Sequence, residues 1–147
     1  MEKFSLSQSQ EDYLEEIYVE VTQQGFASVT AISNALNVKK ASVTGALNQL
    51  AEKKLINYAP YSKITITKDG EKIAKEILKK HDTITKFFTE ILCLPAKEAA
   101  ANACRMEHIV SDELFERLTG FAGFISEYSA SNPDFKTQIG KIYNNKN

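Results

Sequence analysis

The 147-residue sequence has no tryptophan, three prolines, six glycines and two cysteines. Cys93 and Cys104 are too few for a disulfide framework and point to a reducing compartment. No apolar run approaches the roughly 20 residues that span a bilayer, which excludes a membrane-spanning chain. The opening stretch, MEKFSLSQSQEDYLEE, soon turns acidic and contains no apolar signal core, so a cytoplasmic location is expected. Proline and glycine are too sparse to build a linker or a low-complexity tract and act as local punctuation. With 43% hydrophobic and 25% charged residues, the remainder is an ordinary globular composition in a chain long enough for a real core.

The formal net charge of −1 conceals an asymmetry. Residues 1–38 carry one lysine against six acids, residues 39–86 eleven lysines against five acids, and residues 87–147 six basic against eight acidic side chains. A basic middle between acidic ends suggests a local polyanion-binding surface, with a solvated lysine face as the plainer alternative.

Hydrophobic periodicity predicts a helix over residues 9–24, with Tyr13, Leu14, Ile17, Tyr18 and Val21 on one face and Gly25 as its stop. A short helix fits residues 30–36, with Thr30 as N-cap. A third covers residues 40–53 and buries Val43, Leu47 and Leu50. The period then changes. Residues 55–58 and 64–67 favour β-structure around a turn at residues 59–63. This order is that of a winged helix-turn-helix. A long helix is expected over about residues 68–92, with His81 in the stripe formed by Ile73, Ile77, Ile84, Phe88 and Ile91. Pro95 opens another helix running through Val110, Ser111-Asp112-Glu113 reads as a fresh N-cap, and residues 132–134 can start a last helix behind an aromatic tail.

In a winged helix-turn-helix the second helix of the motif enters the major groove. Its leading residues here are Lys39, Lys40, Ala41, Ser42, Thr44, Gly45 and Asn48. The two lysines suit phosphates, Ser42 and Thr44 reach phosphate or base edges, Ala41 fits a thymine methyl, and Asn48 can pair with adenine. Lys63 falls at the hairpin tip, where a wing grazes the backbone. The competing reading is a winged domain used only for protein contact.

Both histidines keep suggestive company. Cys104, Glu107 and His108 stand at i, i+3 and i+4, hence on one helical face, and offer sulfur, carboxylate and imidazole, donors that hold first-row transition metals. Asp12 and Glu15 are separated by three on the first helix, and His81 comes from the long one. Each also has a plainer reading: acids at a helix N-terminus, a core histidine, a small buried thiol.

With these residues in place, the chain resembles the diphtheria toxin repressor and manganese transport regulator family of metal-activated bacterial repressors. The resemblance spans about residues 9–120. Ala103-Cys104-Arg105-Met106-Glu107-His108-Ile109-Val110-Ser111-Asp112-Glu113 matches the iron-type branch's ACRxEHxxSDE pattern, Glu11-Asp12-Tyr13-Leu14-Glu15-Glu16-Ile17-Tyr18 the opening helix, and Lys80-His81 the histidine of the linking helix. The resemblance implies a mainly α fold with a small β-hairpin wing. A winged helix-turn-helix DNA-binding domain (1–70) is followed by a helical metal-binding and dimerisation domain (71–147), as in short members without an SH3-like domain.

It also implies the metal ligands. Cys104, Glu107 and His108 align with an iron-branch ligand set, whereas Asp12, Glu15 and His81 match manganese-regulator ligands. The iron branch's ancillary site calls for a glutamate and a histidine where this chain has Thr85 and Ala100, which puts that site in doubt. A second metal near Glu15 and His81 stays open. A thiolate beside hard carboxylates favours Fe²⁺ over Mn²⁺ as signal, with Co²⁺ or Zn²⁺ as substitutes in vitro. The expected protein is a homodimeric, metal-activated repressor of metal-homeostasis genes that binds a palindromic operator in double-stranded DNA. The alternative is a thiol-based redox-sensing winged-helix regulator using Cys104. An enzyme is not expected, since no nucleophile–base pair or phosphate loop stands out.

Overall fold

The computed structural model describes residues 5–144; the outermost ends of the expected domains, 1–4 and 145–147, lie outside the described residues. The contact pattern divides the chain into two compact units, Met1–Leu78 and Lys79–Asn147.

The first unit holds α1 (Gln8–Gln24), α2 (Val29–Ala35), α3 (Lys40–Glu52), β1 (Ile56–Asn57), β2 (Thr65–Ile66) and the start of α4 (Lys68–Lys86). A reciprocal capping box opens α1: the Ser7 hydroxyl accepts from the Gln10 amide, and the Gln10 side chain accepts from the Ser7 amide. Gly25 closes α1 at φ 82°, a left-handed conformation that suits glycine, and donates to the Val21 carbonyl at 2.8 Å. Expected over residues 30–36, α2 starts one residue earlier, because Ser28 and not Thr30 is its cap. The preceding Ala27 is held extended by a two-way backbone pairing with Ile64, so Ser28 is the last residue with extended dihedrals and its hydroxyl accepts from Ala31 at 3.1 Å.

The hairpin pairs Ile56 with Ile66 and Asn57 with Thr65, antiparallel. Its strands are shorter than the β-favouring segments of the sequence, and Ala27 adds a third, single-residue rung that no local signal announced. Leu14, Ile17, Ile32, Val43, Leu47, Leu50, Leu55 and Ile64 form a fully buried core, completed from α4 by Ala74. Gly70 is required by close approach: a Cβ there would run into the Leu55 carbonyl oxygen and come within 2.9 Å of Ile66 Cγ1. Thr67 caps α4, its hydroxyl accepting from Gly70 at 3.1 Å.

In the second unit α4 passes into a π-helical turn, Phe87–Ile91, and ends there as expected. Then come α5 (Ala96–Met106), α6 (Asp112–Ser131) and α7 (Asp134–Asn144). Ile84, Ala103 and Val110 are the buried centre, with Phe88, Met106 and Phe115 packed around them. Ser111 caps α6 by accepting from the Leu114 amide at 3.2 Å, as its sequence position predicts. The helix then continues through Gly120 and Gly123 to Ser131, where Phe124 stacks on Tyr128 and Tyr128 meets Phe135 of α7 edge-on. Leu114, Phe121, Phe124 and Tyr128 nevertheless remain exposed, and α6 has no buried residue. No helix among the described residues is long and apolar enough to cross a membrane.

Candidate functional site

Two sets of residues carry chemistry, one in each unit. In the first, Val43, Leu47 and Leu50 fasten one face of α3 to the core. The opposite face is thereby turned to solvent: Lys39, Lys40, Ala41, Ser42, Gly45 and Asn48 are exposed, and Thr44 is half-buried with its hydroxyl donating to the Lys40 carbonyl at 3.1 Å. Lys39 is the N-cap and makes no side-chain capping bond. Two lysines at the positive end of a helix oppose its macrodipole, an arrangement that an anionic partner relieves. Gln10 donates to Gln49 at 2.8 Å, tying the start of α1 to the far end of α3.

Lys63 is exposed but does not form the hairpin apex. The pairing of Ala27 with Ile64 draws it back, and its ammonium stands 4.2 Å from the centre of the Phe26 ring. The apex belongs to Tyr61, fully exposed at φ 60°. Sequence reasoning passed over it; the Pro60-Tyr61 pair inside the expected turn was the available signal.

In the second unit, His81 of α4 reaches Glu107: Nδ1 and Oε2 are 2.6 Å apart. The other carboxylate oxygen lies 3.5 Å from His108 Nε2, and the Cys104 sulfur lies within 4.8 Å of a His108 ring nitrogen. The Glu107 side chain is completely buried and that of His108 is 2% exposed. These four donors therefore form one cluster. Its local backbone differs from the expected uninterrupted helix. Met106 is the last residue of α5, Glu107 is the C-cap, and His108 lies in the turn that follows. Beyond Met106 the turn tightens, with Ile109 donating to the Met106 carbonyl three residues back at 3.0 Å, and Val110 turns into the core. Cys104, in the last turn, stays exposed, while Glu107 and His108 are carried inward. Neither cysteine is in a disulfide. Lys80, next to His81, is 3.1 Å from Asp112 at the start of α6 and holds that helix to α4.

Asp12 and Glu15 are half-buried on α1 of the first unit. Beside them, partial burial holds the Glu16 carboxyl above its ordinary range, and the nearby Glu20 charge adds to the effect.

A buried carboxylate is costly unless it is paired and hydrogen-bonded. The Glu107 carboxylate pairs through Oε2 with His81 at 2.6 Å and lies 3.5 Å from His108 through its other oxygen, and with the Cys104 thiol near His108 the cluster matches the mixed nitrogen, oxygen and sulfur donor set of a first-row divalent cation. Thr85, one turn after His81, supplies no carboxylate.

Comparison with known proteins identifies the family. Residues 5–64 match the family described as iron dependent repressor, N-terminal DNA binding domain, and residues 67–136 the one described as iron dependent repressor, metal binding and dimerisation domain. The chain is 43% identical over 117 residues to an uncharacterized HTH-type transcriptional regulator of Methanocaldococcus jannaschii, covering 79% of this chain and 94% of that protein. It is 28% identical over 129 residues to the HTH-type transcriptional regulator MntR of Bacillus subtilis, covering 88% and 90%. Among solved structures, T. acidophilum IdeR superposes with a TM-score of 0.70 at 28% identity, covering 81% of this chain and 55% of that one. The manganese regulator SloR gives 0.68 at 28% identity, covering 78% and 54%. The chain thus spans about half the length of these two solved structures. It belongs to the iron-dependent repressor family, the diphtheria toxin repressor and manganese transport regulator group of metal-dependent transcriptional regulators.

Proposed function

We propose that this protein is a cytoplasmic, homodimeric repressor that binds a palindromic operator when loaded with Fe²⁺, or less effectively Mn²⁺, and so controls metal-homeostasis genes. The observation that carries the reading is the buried Glu107 carboxylate held between His81 and His108. In this reading residues 1–70 are the DNA-binding domain and residues 71–147 the metal-binding and dimerisation domain. Cys104, Glu107, His108 and His81 hold the metal, and Asp12 and Glu15 of α1 complete the donor set. The last two rest on the sequence resemblance. A bound divalent cation supplies positive charge that offsets the gathered carboxylates.

The rest is done by the chain's own residues. Lys80, held to Asp112, keeps His81 oriented toward Glu107. If Nδ1 of His81 donates to the Glu107 carboxylate, its Nε2 is left as the basic, ligating nitrogen. Asp12 and Glu15, on the helix that packs against α3, make the DNA-reading unit answer to the metal. Coupling of about 1–3 kcal/mol, the usual range for allostery, changes DNA affinity roughly 5- to 150-fold and by reciprocity tightens metal binding on DNA. Lys39, Lys40, Ala41, Ser42, Thr44, Gly45, Asn48 and Lys63 are the proposed DNA contacts. The exposed apolar face of α6 supports dimerisation. A dimer reads half-sites one helical turn apart, roughly 34 Å, or a multiple of it.

The test is anaerobic selection of genomic fragments by chelator-stripped protein with and without Fe²⁺ or Mn²⁺, followed by sequencing. Enrichment of a palindrome only with metal, stronger with Fe²⁺, is the expected result. Equal enrichment without metal removes the sensor.

A further inference from the structure

Threonine hydroxyls on the helices of this chain turn back onto the carbonyl four residues earlier. Thr44 donates to Lys40 at 3.1 Å, Thr89 to Thr85 at 3.1 Å and Thr119 to Phe115 at 2.8 Å. Thr85, near the end of α4, does not follow them. Its hydroxyl oxygen is closed off from solvent and has no hydrogen-bond partner among the described residues. The equivalent acceptor would be the His81 carbonyl, which a rotation about χ1 brings within reach of a helical threonine, and Thr85 forgoes it. A buried hydroxyl left unsatisfied costs folding free energy, and such a group in a native structure calls for a partner outside the chain's own bonds, a bound water or ion. Packing alone does not account for the residue, because valine has nearly the same shape and no hydroxyl to desolvate.

The position names the partner. His81 and Thr85 are four residues apart on α4, hence on one face, with Cβ atoms about 5–6 Å from each other. One bridging water spans a separation of that size. His81 Nδ1 is 2.6 Å from the Glu107 carboxylate, whose side chain is completely buried. We propose that Thr85 is a positioning residue of the metal centre: with the cation bound, its hydroxyl holds one ordered water against the His81–Glu107 pair and so keeps both donors turned toward the cation. Thr85 acts through the water and is not itself a ligand. A buried water needs two to four polar partners, and Thr85, His81 and Glu107 supply them. The charge of the cation orders the same water, so the hydroxyl's bond belongs to the loaded centre and adds to its affinity. This inference rests on the metal-binding reading of Cys104, Glu107, His108 and His81, and adds to it the side chain that orders their surroundings.

Three variants of the full chain separate this role from a structural one. Metal affinity is read by anaerobic titration of chelator-stripped protein with Fe²⁺ and with Mn²⁺ against a competing chelator of known affinity, and thermal melts without metal report the fold. Thr85→Val should bind both metals about 10-fold more weakly, the lower end of what the outer partners of metal ligands contribute. Its metal-free Tm should nevertheless equal or exceed that of the wild type, since a buried unsatisfied hydroxyl has gone. Thr85→Ser keeps the hydroxyl and should recover most of the affinity. Thr89→Val removes a hydroxyl that already has its carbonyl partner and should leave metal affinity unchanged. A merely structural threonine gives the reverse pattern, with Tm lowered and affinity kept in Thr85→Val. Wild-type metal affinity in Thr85→Val, a metal-free Tm clearly below that of the wild type, or no recovery in Thr85→Ser overturns the role of Thr85 and leaves the metal centre standing. A wild-type protein that takes up neither metal overturns both.

Discussion

Replacing His108 with alanine separates a metal site from a buried structural cluster. The imidazole is 2% exposed and 3.5 Å from the Glu107 carboxylate, so its removal leaves a cavity and lowers metal-free stability whatever the function. The diagnostic quantity is the additional stabilisation by metal. Metal at about 100 times its Kd stabilises the native state by about 2.7 kcal/mol. Groups that merely support metal ligands are worth roughly 10- to 100-fold in affinity, so losing a ligand should cost at least about 100-fold. At the same metal concentration the stabilisation then falls to about 0.4 kcal/mol. At roughly 2–4 °C per kcal/mol for a chain of this size, the metal-induced rise in Tm should shrink from roughly 5–11 °C to about 1 °C. Paired anaerobic melts of wild type and His108→Ala, with and without Fe²⁺ and Mn²⁺, read this directly. A metal-induced rise of wild-type size in the variant would refute the assignment, because the lowered baseline cancels in the difference. Metal-activated DNA binding should vanish in parallel while the variant stays a folded dimer.

Other perturbations address the fold and the pH response. Gly70→Ala should lose about 1–3 kcal/mol in urea denaturation, because the new Cβ meets the backbone of Leu55; unaltered stability would contradict the close approach of α4 to the hairpin. Leu47→Ala, at a fully buried position of α3, should cost about 2–5 kcal/mol, while the exposed Lys40→Ala should stay within about 0.5 kcal/mol and weaken only DNA binding. Burial and Glu20 raise the Glu16 carboxyl, so its stabilising contribution is complete below the unfolded value and lost as pH rises through the folded one. Glu16→Gln should therefore be more stable than wild type at neutral pH, with the advantage vanishing in acid; urea midpoints at pH 4 and pH 7 measure it.

The legible features were those encoded locally. The apolar faces of α1 and α3 follow from the 3.6-residue repeat, which puts Leu14 with Ile17 and Val43 with Leu47 on single stripes whatever the surroundings. Gly25 and Ser111 end and begin helices through bonds to residues three or four positions away, so they too can be read from the string. The cap of α2 could not. Ser28 and Thr30 are both competent, and the choice fell to a pairing between Ala27 and Ile64, 37 residues apart. The spacing of Cys104, Glu107 and His108 marked a donor set, yet an ideal helix would have given the three similar lines of approach. Tertiary packing ended α5 at Met106 instead, turned Val110 into the core, buried Glu107 and set it against His81 from a helix 26 residues upstream. At the hairpin, composition placed a charge at the tip, whereas the long-range bridge drew Lys63 back over Phe26 and left Tyr61 outermost. Sequence alone thus determined the element types, the core faces and the kinds of donor, since these depend on neighbours within one or two turns. Tertiary structure decided which competent cap is used, which donor is buried and which side chain leads, because each depends on bonds to residues far away in the chain.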